Sequence, residues 1–157
     1  VSNFNDAAVN DVLDRVVSFA MGLGRFDQVN AHEPKSSPGT GMHCAVWMQS
    51  VQPTRSSGLA ITSGVVVLNA RIYTDFKSQP YDAIDPQVTS AVCDVIGALS
   101  GDFELGGADD VRAVDLLGMA GSPLGAVAGY IELDRTMFRV MTITIPIIIN
   151  DMFEQVA

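Results

Sequence analysis

Positive charge is scarce in this chain. Nine Lys and Arg stand against 18 Asp and Glu, for a net charge of −9. That excludes a protein whose work is to neutralise phosphate, because nucleic-acid affinity comes from cation contacts that release counterions. It equally excludes one held on anionic lipid by charge. Charge of either sign is thin, at 17% of residues. Cysteine is nearly missing: Cys44 and Cys93 lie far apart with no CxxC, which fits neither a disulfide scaffold nor a zinc ribbon and suggests a reducing or redox-indifferent setting. The longest near-apolar run, residues 140–149, is too short and too Thr-rich to span a bilayer as a helix. No basic segment followed by an apolar stretch opens the chain, so no signal peptide is expected, and a valine at position 1 fits a removed initiator methionine.

What is present is apolar. Hydrophobic residues make up 48% of 157 and the mean hydropathy is +0.27. A chain of this size buries roughly 70% of its unfolded surface, enough for one core without metal or cross-links. No repeat or composition break divides it, so a single domain over 1–157 is expected. The apolar content exceeds what a free monomer wants and points towards self-assembly.

Residues 6–21 carry Val9, Val12, Leu13, Val16, Val17 and Ala20 at helical spacing, with Asn5 or Asp6 as cap and Gly22 and Gly24 as stops. Residues 25–41, rich in Pro, Gly and Ser, read as a long mobile loop of the kind that tends to be functional. Residues 42–51 alternate, setting Met42, Cys44, Val46 and Met48 against His43, Ala45, Trp47 and Gln49. A polar tip at 52–58 leads into a strand over 59–76, bent near Ser63-Gly64, in which Val66, Leu68, Ala70, Ile72 and Phe76 face one way and Val65, Val67, Asn69, Arg71 and Tyr73 the other. Asp85-Pro86 predicts a helix start, and Val88, Ala91, Val92, Val95, Ile96 and Leu99 a helix ending at Gly101. Strands follow over 111–119, 126–133 and 137–149, the last two joined by a tight Asp134-Arg135-Thr136 turn, with residues 151–157 as a tail. Pro146 cannot donate to a ladder and predicts an edge or bulge.

The order is α-β-β-α-β-β-β, an α+β fold with a mostly antiparallel five-stranded sheet and two helices packed on one face. The second face is then left with Trp47, Val65, Val67 and Tyr73. These four, with Arg55 at the hairpin tip as a partner for a neighbour's carboxylate, are the candidate interface residues, and another subunit is the favoured cover.

Chemistry is hard to find. There is no G-x-x-x-x-G-K-[ST], no dinucleotide fingerprint and no G-x-S-x-G. His43 and Cys44 are strand neighbours and point to opposite faces, so they form no nucleophile–base pair; Cys44 reads as a core thiol and His43 as an interface or surface residue. His32-Glu33 runs into Pro34, which rules out a helical H-E-x-x-H site. Asp102, Glu104, Asp109 and Asp110 lie in a turn without an apolar wall to raise a pKa and without calcium-loop spacing. The expectation is no catalytic residue, no metal, no cofactor and no enzyme.

Three stretches carry a resemblance: GVVVLNARIYTDF (64–76), DPQVTSAVCDVIGALSGDFEL (85–105) and FRVMTITIPIIINDMF (138–153). With the element order, they make the chain resemble the tail terminator, or tail completion, proteins of long-tailed bacteriophages, especially those infecting actinobacteria. The resemblance implies a structural virion protein assembled in the host cytoplasm. It would form a ring, usually a hexamer, on the head-proximal end of the tail tube. Its partners would be its own copies, the tube protein below and the head connector above, with double-stranded DNA passing through the lumen unbound and no membrane involved. An acidic lumen would repel phosphate and let the duplex slide. The mobile loop 25–41 and the tip 52–58 are expected to order against neighbours. The alternatives are a head-closure or tail tube protein, and a small-molecule-binding domain or enzyme using the uncovered sheet face.

Overall fold

The computed structural model describes residues 6–54, 61–75, 80–102, 104–106 and 111–154. Helix α1 (Asp6–Gly22) is followed by a short strand β1 (Gln28–Asn30), then β2 (Met42–Thr54), β3 (Ile61–Asp75), α2 (Tyr81–Gly101), β4 (Val111–Val114), β5 (Gly125–Leu133) and β6 (Thr136–Glu154). The fold is α+β. Its sheet runs β1-β2-β3-β6, with β4 and β5 sharing the far side of β6. All pairings are antiparallel except β1 with β2, so the sheet is mixed and has six strands rather than five.

Alternation builds the main core. Cys44 and Val46 of β2, Val66, Leu68, Ala70 and Ile72 of β3, and Ile143, Ile145, Ile147 and Ile149 of β6 turn to one face. Against them pack Val9, Val12, Val16 and Ala20 of α1 and Ile84, Val88, Ala91, Val92, Val95 and Leu99 of α2. Both helices therefore lie on one face, each through a single apolar stripe. Among the described residues no helix is long and apolar enough to cross a membrane.

Several local expectations change. The loop 25–41 contains β1, and its ends are tied: the Asp27 amide donates to the Met42 carbonyl at 2.8 Å, the Asp27 carboxylate accepts the Met42 amide, and the Ser37 amide donates to Asp134 Oδ2 at 2.7 Å. Gly41 is required there, since φ is +94° and a Cβ would collide with the Asp27 carboxylate.

The second helix begins at Tyr81, not Asp85, and holds Pro86 inside it. The Ala83 amide bonds the Pro80 carbonyl at 2.9 Å, and Ile84 is buried in the core. Packing thus extends the helix one turn ahead of the proline. Asp85 is no cap; its carboxylate meets Arg139 of β6 at 3.0 Å. The left-handed residues come after Gly101: Leu105 has φ 53° and Gly106 φ 76°. Leu105 is only 1% exposed, and burial of its side chain offsets a backbone cost of about 1–2 kcal/mol.

Pro146 lies in the longest and most central strand. β5 pairs as far as Gly125 with Thr144, and β4 pairs with β6 from Ile149 back to Ile147, where Val114 ends it. Pro146 falls in the gap between them on that side of β6. Its carbonyl points there and accepts the Asp115 amide at 2.9 Å. The missing N–H therefore costs no bond to β3.

β4 stops at Val114, and residues 115–124 form a loop instead of a longer strand. At the other end β6 runs to Glu154, where Ile61 and Thr62 of β3 pair with it, so the expected tail is partly strand. The bend near Ser63 is present as a register shift between Thr62 and Gly64. The β5–β6 hairpin turns through Asp134 and Arg135, both at positive φ (50° and 65°), the two-residue loop that suits strand twist.

Ile145→Ala should lower unfolding free energy by about 2–5 kcal/mol, the cost of a cavity at a fully buried site. Leu117→Ala, at a residue 86% exposed, should change it by less than about 0.5 kcal/mol. Urea denaturation of the two variants checks both.

Candidate interaction site

The sheet face away from the helices carries His43, Ala45 and Trp47 from β2, Asn69, Arg71 and Tyr73 from β3, Phe138, Val140, Thr142 and Thr144 from β6, and Val127 and Ile131 from β5. It is not the bare apolar face expected. Ala45, Tyr73, Phe138 and Val140 form a second small core, with Trp47, Ile131 and Leu133 packed against it. Tyr73 and Phe138 meet edge to face, with centroids 6.1 Å apart. Of the candidate interface residues, Val65, Val67 and Tyr73 are buried at 3%, 5% and 1% exposure. They present almost no surface to a second chain. Trp47 is half-buried. Arg55 lies outside the described residues, as does most of the tip 52–58.

Next to this small core lies a groove of about 420 Å³ lined by Gln49, Asn69, Arg71, Val127, Thr142 and Thr144, among others. Arg71 organises it. Its Nε donates to Thr142 Oγ1 at 2.8 Å, and its guanidinium sits 5.3 Å from the Trp47 ring centroid. Burial pushes the Tyr73 hydroxyl above its ordinary pKa, while the charge of Arg71 and a hydrogen bond from it pull the other way. This cationic side chain is thus committed to holding the face together.

The groups considered for chemistry are dispersed. Burial raises the Cys44 thiol from its ordinary 9.0 to about 12, so it stays a protonated core group rather than a nucleophile. His43, expected at an interface or the surface, is buried in the chain, and its Nε2 lies 2.7 Å from the Thr40 carbonyl. Cys93 is exposed on α2. Among the described residues no three His, Cys, Asp or Glu side chains gather as a metal site would need.

On this face Val127 is 73% exposed; the two most exposed large apolar side chains lie elsewhere, on residues whose pattern predicts a strand. Leu117 is 86% and Met119 91% exposed. Their loop is nonetheless firmly built. Asp115, only 5% exposed, accepts the Met119 amide at 2.9 Å on Oδ1 and the Ala120 amide at 2.7 Å on Oδ2. Gly118 has φ +78°, and a Cβ there would lie 2.9 Å from the Pro123 nitrogen. The Gly121 amide closes a turn on the Gly118 carbonyl at 3.0 Å. Leu116 and Leu124 pack against the main core at either end. The signal in the sequence was the run DLLGMAGSPLG, in which an aspartate, three glycines and a proline mark a structured loop.

A second groove, of about 620 Å³, runs between α1 and the turn that follows α2. Phe19 and Leu23 line it together with the charged Asp14 and Arg15, Ser18, Gly22, Gly106 and the edge of the buried Leu105. Arg15 spans to Asp11 at 3.0 Å and to the Leu105 carbonyl at 3.1 Å, tying the left-handed turn to α1.

Two outcomes follow. Arg71→Ala should destabilise by about 1–2 kcal/mol, the sum of a cation–π contact and one hydrogen bond, and should shift the emission of Trp47, the only tryptophan. The raised Cys44 pKa gives stability that is fully present below pH 9 and lost as pH rises towards 12, since the unfolded thiol ionises first. Complete loss is worth about 4 kcal/mol. Cys44→Ala should flatten that alkaline slope in denaturation curves, leaving the smaller share that Tyr73 adds in the same direction.

No protein-family model matches the chain, and no curated protein matches it. Among solved structures it is similar to the sheath/tube terminator, in the extended state, of the PVC extracellular contractile injection system, determined by cryo-EM. The identity is 14% over 96% of this chain, with a TM-score of 0.37. This chain spans 59% of that protein's length.

Proposed function

We propose that this chain is a structural, non-catalytic subunit of a phage tail. It assembles with its own copies into a closed ring, usually a hexamer in such proteins, that caps the head-proximal end of the tail tube. The ring ends tube growth and offers its other face to the head connector. The resemblance of residues 64–76, 85–105 and 138–153 to tail terminators supports this reading. The observation that carries it is the pair Leu117 and Met119, exposed to 86% and 91% on a loop fixed by a buried carboxylate. Large apolar side chains held rigidly in water mark a surface meant for another protein.

The charge fits the same role. At −9 per copy, a ring presents a field that repels duplex phosphate, so DNA passes through its lumen without sticking. A ring also needs a contact between two different patches whose rotation closes. One that failed to close would grow into a filament.

Native mass spectrometry and negative-stain microscopy of the purified full chain test this. The expected result is one closed multimer whose mass does not grow with concentration. Filaments would favour a tube subunit instead. A monomer at every concentration would overturn the proposal.

A further inference from the structure

We propose that the outer edge of β5 is a strand-addition site. It takes an extended segment of a different protein, one that alternates aliphatic and basic side chains. The site lies within one protomer and does not rest on the ring reading.

Turn geometry fixes which backbone groups are on offer. Asp134 and Arg135 make a two-residue loop closed by the pair Leu133 and Thr136. In such a hairpin the closing pair exchanges both its hydrogen bonds, and so does every second pair from there. Ile131, Gly129 and Val127 therefore bond Phe138, Val140 and Thr142. Ala126, Ala128 and Glu132 turn amide and carbonyl the other way. Among the described residues β6 is the one strand beside β5, and Ala128 and Glu132 are exposed. Pro146 agrees with this phase. It belongs to the even-numbered set of β6, which faces β5 and β4, and its carbonyl takes the Asp115 amide on that side.

Natural sheet edges are normally blunted. The opposite edge of this sheet is: β1 has three residues, and β2 beyond it carries Pro53. β5 has no such protection. It runs nine residues without Pro or Lys and pairs with β6 residue for residue from Gly125 to Leu133. Ala126, Ala128 and Gly129 are small and leave the backbone open. A glycine inside a strand marks a place where another backbone comes close. A row of donors and acceptors at strand spacing is complementary to an extended polypeptide, which pairs with it as one more strand.

Side chains set the partner's pattern, since an added strand alternates faces as β5 does. On the helix-free face it lies beside Val127, 73% exposed, at the rim of the groove of about 420 Å³, where aliphatic residues fit. On the other face it lies beside Glu132, the only charged residue of β5, which makes no ion pair among the described residues. Opposite charges across a strand pair stabilise it, and like charges oppose it. A net charge of −9 draws in a basic segment and repels a second copy. Charge therefore selects a foreign, basic strand over one from another copy.

A capped nonapeptide alternating valine and lysine serves as the probe, titrated into the isotope-labelled full chain and followed by calorimetry and amide exchange. Saturable binding should slow exchange at Ala126, Ala128 and Glu132 by about tenfold or more, with Val127, Gly129 and Ile131 protected before and after. The same peptide N-methylated on every valine, or on every lysine, keeps its charge, and one of the two forms should bind about tenfold more weakly. Ala128→Pro removes an outward amide and no bond to β6, so it should abolish binding with the thermal midpoint nearly kept. Should that variant fail to fold, the methylated peptides decide. Equal binding of both methylated forms would mean that charge alone holds the peptide, and would overturn the proposal. So would equal binding of a peptide alternating valine and glutamate, or no binding at all. Slow exchange at the three outward amides in the protein alone would place a second copy on the edge and overturn it as well. Each of these results leaves the ring reading to its own test by native mass.

Discussion

Strand β6 is the constraint on which the rest of the molecule depends. It runs 19 residues and is paired along almost its whole length with β3. On its other side it is shared between β5 and β4. Ile143, Ile145, Ile147 and Ile149 point to the helices and are 0–1% exposed. β-branched side chains stack well at that spacing on a pleated surface, and each fully buried one is worth about 1.5–3 kcal/mol. A one-residue slip would turn the whole row to the opposite face, so the register is strongly specified. Where the second neighbour changes, the strand carries a proline, and the loop after β4 begins with a bond to that proline's carbonyl. The exposed tip at Leu117 and Met119 is thereby positioned by the same strand that builds the core.

The two faces of the sheet solve different problems. The helix face is apolar and layered, as two amphipathic helices require. The opposite face has no helix, and it protects itself with mixed chemistry. Tyr73 and Phe138 pack edge to face, Trp47 lies under the Arg71 guanidinium, and Arg71 bonds Thr142. On the helix side of the same sheet, Arg139 stacks on the Tyr130 ring at 4.5 Å and also reaches Asp85 of α2. Arginine serves here because it lays a planar, weakly hydrated cation on an aromatic ring while its edge still donates hydrogen bonds. Such a face meets water with mixed chemistry, although its Val127 is 73% exposed; the two most exposed large apolar side chains, Leu117 and Met119, sit on a loop.

Much of this was legible in the sequence, and the misses have physical causes. Period-two alternation placed Cys44, Val46, Val66, Leu68, Ala70, Ile72 and the isoleucines of β6 on one face, where they lie. Period 3.6 placed the buried stripes of both helices. What the pattern cannot express is how a sheet curls and which side chains close over one another. So Val65, Val67 and Tyr73 read as open surface although they are buried. Asp85-Pro86 is a strong local start signal, yet burial of Ile84 outweighs it and extends α2 by a turn. The loop 25–41 looked structureless because its order comes from distant partners, Asp134 and Met42, which no local propensity encodes. The run after β4 looked like strand because apolar residues dominate it; its glycines and proline decide otherwise.

Placing Leu117 and Met119 on a rigid loop rather than in the core carries a cost that needs an explanation. Each large aliphatic side chain left in water forgoes the free energy it would gain by burial. The protein also uses a buried aspartate, two turn glycines and a proline to hold the two side chains in place. A flexible loop could hide its apolar residues against the domain. This one cannot, because both Asp115 oxygens and the Gly118–Pro123 contact hold it outward. Such an arrangement lowers the stability of the lone protomer only slightly, while removing most of the ordering entropy from association. Under the proposed ring, a few well-placed uncharged contacts of this kind would offset a long-range repulsion between like-charged copies that salt weakens.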